Sequence, residues 1–206
     1  MNFERWAQLM SAWGFPDNEV TFASLSSAYS ERGRYYHTRH HIDACLRHVD
    51  RCIRQFDSAR EVELALWFHD AVYNPLSATN ERESAGWAAA FLRQNHAPSD
   101  EITRIDRLVM VTKHDVPTHT KDESLLVDID LSILGAEPAA YDTFEQDVRN
   151  EYRMVPSFIY NKKRAELLRH FLARPRIYAN EPFVSEREQQ ARSNLSLAIT
   201  KLEGVE

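Results

Sequence analysis

Glycine is scarce in this chain, at only 5 of 206 residues, and there are just 2 cysteines. So little glycine argues against a collagen-like, low-complexity or disordered chain, and it does not suit a loop-heavy β-sandwich. Cys45 and Cys52 lie two helical turns apart, about 10 Å between Cα atoms, beyond the roughly 7 Å reach of a disulfide. No apolar run approaches the roughly 18–20 residues that cross a bilayer, so no membrane partner is expected. The opening Met1-Asn2-Phe3-Glu4-Arg5-Trp6 lacks the basic-then-apolar pattern of a signal peptide, and a reduced cytoplasmic chain is the expectation. Nor is there an excess of positive charge: 25 Lys and Arg against 31 Asp and Glu leave a net −6. An extended nucleic-acid surface is therefore not expected, although a local basic pocket stays open.

What the chain has is apolar residues in helical spacing. Forty-three percent is hydrophobic, with 10 Phe, 4 Trp and 8 Tyr, enough to fill the core of one domain. From Arg39 to Phe56, Ile42, Leu46, Val49 and Ile53 share one stripe, with Thr38 placed to cap the start. From Arg60 to Tyr73, one face carries Val62, Ala65, Leu66, His69, Val72 and Tyr73. Asn80 and Glu83 are spaced as a capping box ahead of Ala85, Ala88, Ala89 and Leu92. Another helix starts at Pro98-Ser99, and further patterns run from Pro138 to about Met154, Pro156 to about Ala173 and Ser185 to Leu202. Two more precede residue 33.

Val127 to Ile133 alternates as a half-buried strand would, yet Leu126, Ile129, Asp130, Ile133 and Leu134 also fit a helix. No other segment offers a strand partner, so a helix ending at Gly135 is expected. The fold class read from the sequence is all-α. It is expected to be one helical bundle of roughly eight to ten helices over residues 1–206, with a core at about 30–135 and an extension at about 138–206.

The candidate chemistry lies in histidines and aspartates on apolar faces. His69 and Asp70 close the run Leu64-Ala65-Leu66-Trp67-Phe68. A buried carboxylate costs several kcal/mol unless it is paired or bound to a cation. A His-Asp dipeptide alone says little, since chance supplies about 0.6 in a chain of this composition, and His114-Asp115 is a second. Its company says more. His41, beside the apolar stripe of its helix, and Asp130, on the inner face of another, join His69 and Asp70 from separate segments. Asp128 would take the place of Asp130 only in a strand. Two imidazoles and two carboxylates suit Mn, Fe, Co, Ni or Zn, with positions left open for water.

The order His, His-Asp, Asp resembles the HD-domain metal-dependent phosphohydrolases, in a bacterial branch known only as predicted hydrolases. The resemblance runs through Tyr36-His37-Thr38 with His41, through Ala65 to Tyr73, through Asn80-Glu81 with Ser84-Ala85, and through Asp128-Ile129-Asp130-Leu131. It continues into Ile133-Leu134-Gly135 and Arg176-Ile177-Tyr178. It implies a helical bundle in which His41, His69, Asp70 and Asp130 bind one divalent ion or two, Mg among the options. It also implies hydrolysis of a phosphate ester in a small phosphorylated molecule. Glu81 and His114 fall where such proteins place catalytic or second-metal residues.

In that chemistry Asp70 or Glu81 orients the attacking water. Arg39, Arg82 and Lys113, near the motif in sequence, are candidates to hold phosphate oxygens, and His37 and His114 to touch the substrate. Two other classes stay open: a di-iron oxygenase on a similar bundle, with His114 as an extra ligand, and a metal- or nucleotide-binding module without turnover. His41, Cys45, His48 and Cys52 repeat at helical spacing but span about 16 Å, too far for one ion, so core packing is expected of the cysteines. The oligomeric state is not fixed by the sequence, and a homodimer is compatible with it.

Overall fold

The computed structural model describes residues 1–204, and among them the fold is all-α, with ten α-helices and no strand. The chain divides into two compact units, the first Met1–Ile129 and the second beginning at Asp130. No helix among the described residues is long and apolar enough to cross a membrane.

The first unit is built around a helix whose second half, Leu64 to Phe68, is apolar and buried on every side. In α4 (Ala59–Phe68), Val62, Leu64, Ala65, Leu66, Trp67 and Phe68 are all fully buried. A helical stretch without a polar face belongs in the middle of a bundle, and α1 (Phe3–Trp13), α3 (Arg39–Cys52), α5 (Asn80–Gln94) and α6 (Ser99–Met110) pack against α4. Trp6 meets Trp67 edge-on at 5.3 Å between ring centroids, and Phe68 meets Phe91 at 5.5 Å. Each such ring contributes about 1.5–3 kcal/mol by leaving water. The start of α4 is held by the buried carboxylate of Asp122, which accepts the backbone N–H groups of Asp57 and Ser58 at 2.8 Å each. A carboxylate there satisfies otherwise orphaned donors and the positive end of the helix dipole. The unit also holds α2 (Glu19–Ala28) and α7 (Lys121–Asp130), whose last residue lies one position beyond the division.

The helical reading of Val127 to Ile133 holds: α7 runs to Asp130, and a 3-10 turn, Leu131–Gly135, ends at the expected glycine. Two local expectations need correction. The helix expected through Tyr73 stops at Phe68, so His69 is its cap and Asp70 lies beyond it. Pro75 has no N–H to return to the carbonyl of Ala71 and disfavours helix at Asn74. The carbonyls of Asp70 and Ala71 bond instead to Arg34. At the next helix the cap is Thr79, whose hydroxyl donates to Glu83 at 2.6 Å; Asn80 instead accepts the N–H of Asn74.

In the second unit, α8 (Pro138–Glu151), α9 (Ser157–Leu172) and α10 (Phe183–Glu203) gather around the 131–135 turn. Asn194 donates to the carbonyls of Leu134 and Ala136, and the Tyr178 hydroxyl donates to that of Leu131. Glu188 accepts the N–H groups of Ile177 and Tyr178. Gly135 sits so close to α10 that a Cβ there would stand 2.6 Å from Arg187 Cβ and 2.7 Å from its carbonyl oxygen.

Candidate metal centre

Three segments converge on one buried point. His41 lies in the first turn of α3, three residues after the cap Thr38, on the side that buries Ile42, Cys45 and Leu46. His69 caps α4, and Asp130 ends α7. One ligand atom from each of His41, His69 and Asp130 lies within 4.8 Å of the others, with both histidines buried and Asp130 half-buried, an arrangement that could hold a metal ion.

Asp70 reaches the same point. Its Oδ2 is 2.9 Å from His69 Nε2 and 3.5 Å from His41 Nε2, while the two Nε2 atoms stand 3.1 Å apart. Burial pushes the Asp70 carboxyl upward, but the imidazoles of His69, His37 and His41 outweigh it and hold the group well below the usual carboxylate range. Asp70 is thus a fixed negative charge facing two imidazoles.

The other ring nitrogen of His69 settles its proton arrangement. Nδ1 lies 2.9 Å from the carbonyl oxygen of Leu66, which can only accept, so Nδ1 carries the proton. Nε2 then faces a carboxylate oxygen and a second imidazole nitrogen, and it needs a positive occupant, either a proton or a cation. A histidine that donates Nδ1–H to a backbone carbonyl and presents Nε2 inward has the orientation typical of a metal ligand. The donor set of imidazole nitrogen and carboxylate oxygen fits a divalent transition ion.

The remaining sequence candidates are spread around this point. The His37 ring stacks on Tyr73 at 4.2 Å and stands 6.1 Å from the His41 ring, at the edge of the cluster. Arg39 donates to the carbonyl of Ser26 at 3.1 and 2.9 Å, and Arg82 pairs with Asp106 at 2.8 Å. To grip a phosphate, either would first have to release that partner. Lys113 pairs with Asp115 at 2.8 Å, and the pairing, with Glu81 also near, raises its ammonium pKa. Glu81 is half-buried at the start of α5, and His114 follows the 3-10 turn Val111–Lys113 with a left-handed φ of 60°. Asp130, rather than the neighbouring buried Asp128, belongs to the three-residue group. Both cysteines are buried and not disulfide-bonded, and Cys45 Sγ rests 3.7 Å from His41 Nε2.

Sequence reasoning missed Arg34. Its guanidinium is buried, bonds to the backbone around both His37 and Asp70, and lies over the rings of Tyr29 and Tyr73 at 5.3 and 5.4 Å. The available signal was an arginine among tyrosines, Tyr29, Tyr35 and Tyr36, just ahead of the first histidine. Comparison with protein-family models, with curated proteins and with solved structures finds no match.

Proposed function

We propose that the chain is a metal-dependent phosphohydrolase that cleaves a phosphate ester of a small molecule. The observation that carries the metal reading is the arrangement of His69: Nδ1–H committed to Leu66, and Nε2 turned toward Asp70 and His41. The reaction class rests on the resemblance of the His, His-Asp, Asp order to HD-domain phosphohydrolases. His41, His69, Asp70 and Asp130 would hold a divalent transition ion. When bound, such an ion lowers the pKa of a coordinated water and offsets charge on phosphoryl oxygens.

The chain's own groups then have distinct tasks. A carboxylate held as low as that of Asp70 is a weak base, so it orients water by accepting a hydrogen bond instead of removing the proton. Glu81 is the better candidate to take that proton. Lys113, near Glu81 and so far paired with Asp115, and His37, half-buried against Tyr73, are our candidates to meet the phosphate's outer oxygens.

Elemental analysis of protein purified without added metal, then a phosphate-ester panel with Mn, Ni, Co and Mg, tests the reading. Bound metal with phosphate release, both lost in Asp70→Ala, is the expected result. Iron with oxygen consumption and no phosphate release would indicate an oxygenase instead. Metal or nucleotide binding without any product would indicate a binding module.

A further inference from the structure

We infer that Arg34 is a positioning residue that fixes the spacing between the two strips of backbone carrying His37 and His69-Asp70, and so shapes the proposed metal centre. The inference rests on the metal reading above and adds a residue outside the ligand set.

The guanidinium makes four polar contacts in one plane of donors. Nη1 donates to the carbonyl of Asp70 at 2.6 Å and to that of His37 at 3.2 Å, and Nη2 donates to the carbonyl of Ala71 at 2.9 Å. Nε faces the Glu31 carboxylate at 3.2 Å. The side chain is buried, while Glu31 is more than half exposed. A buried cation with so little carboxylate screening is expensive, and here three backbone oxygens and two aromatic faces compensate it. Those oxygens come from two places in the chain: His37, just before α3, and Asp70-Ala71, just after α4. One rigid fork therefore joins the segments that present His37 and Asp70, and it sits on the peptide immediately beyond His69.

Lysine cannot replace this function. An ammonium is a single point with three donors and no fixed plane, so it cannot hold two carbonyls of one turn and a third from another at these positions. Outer groups that orient metal ligands typically cost about 10–100-fold in metal affinity when removed.

The test uses the full chain, Arg34→Lys and Co(II) alone as probe. The absorption bands of Co(II) report ligand geometry, which a residue acting only on overall stability leaves unchanged. We expect Arg34→Lys to keep the wild-type far-ultraviolet dichroism, to bind Co(II) about 10–100-fold more weakly, and to shift the Co(II) spectrum. Wild-type affinity with a wild-type spectrum in the variant overturns the inference and leaves the metal reading standing. Absence of Co(II) binding by the wild-type chain overturns both. If Arg34→Lys does not fold, Glu31→Ala loosens the same guanidinium from its exposed side. It should weaken Co(II) binding about two- to fivefold, the scale of a partly exposed ion pair, and an unchanged affinity again overturns the inference.

Discussion

The Nε2 atoms of His41 and His69, twenty-eight residues apart in sequence, face one another at 3.1 Å with Asp70 Oδ2 beside both. Two imidazole nitrogens at that distance cannot both be bare lone pairs without mutual repulsion; a proton on one of them, or a cation between them, relieves it. His69→Ala removes the innermost of these ligands. It should lower metal affinity by at least about 100-fold, more than the change of any outer group, with the helical dichroism retained. Isothermal titration with Co(II) measures this, and an affinity within about threefold of wild type would remove His69 from the ligand set.

Metal ligation needs imidazole nitrogens free of protons, so pH and metal compete for the same atoms. Affinity should fall as the pH drops and protons take the ligand nitrogens, by roughly tenfold per pH unit for each imidazole that must lose a proton. Binding isotherms between about pH 5 and 8 show it directly. A flat profile would mean that histidine nitrogens are not the ligands.

Gly135 leaves no space for a side chain against α10. Its nearest neighbours are the Cβ and the backbone carbonyl oxygen of Arg187, both fixed by the course of the helix and unable to swing aside. Gly135→Ala should therefore destabilise by about 1–3 kcal/mol through overpacking, lowering Tm by about 2–4 °C per kcal/mol. A Tm equal to wild type would show that α10 shifts at no cost.

The second unit carries an alkaline sensitivity. Burial pushes the Tyr160 phenol from its ordinary 10.0 up to about 12, with Arg164 opposing and Glu145 adding to the effect. Because the folded value is the higher one, this group's contribution to stability is complete below pH 10 and disappears as the pH climbs through about 12. Tyr160→Phe should flatten that part of the stability curve, as read by denaturant melts at rising pH. An unchanged curve would place the alkaline loss elsewhere.

Most of the fold was legible because burial in a bundle writes itself as apolar spacing: Ile42, Leu46 and Val49 on α3, or Ile105, Leu108 and Val109 on α6, are all buried as their period requires. The Val127–Ile133 ambiguity was resolved correctly by the lack of a strand partner. The end of α4 was not legible, since Val72 and Tyr73 continue the helical period of Ala65 and Leu66. What stops the helix is Pro75, together with a guanidinium reaching the Asp70 and Ala71 carbonyls from 36 and 37 residues away. Likewise His41, His69 and Asp130 read as inward-facing from their spacing, but only the folded chain brings one ligand atom of each within 4.8 Å of the others. Arg39, Arg82 and Lys113 are candidates by proximity along the chain; what the sequence does not display is that each has a protein partner in space, Ser26, Asp106 and Asp115.

Because α4 stops at Phe68, His69 and Asp70 ride on a turn in which the amides of Val72 and Asn74 are held by the side chains of Ser84 and Asn80 and the carbonyls of Asp70 and Ala71 by Arg34, and not by a helical ladder. A turn held by side chains in place of a helical ladder can open locally without the helices around it. Were the turn to open locally, Trp6, Trp67 and Phe91 could stay packed, so release of an ion from the proposed centre would not require unfolding of the first unit.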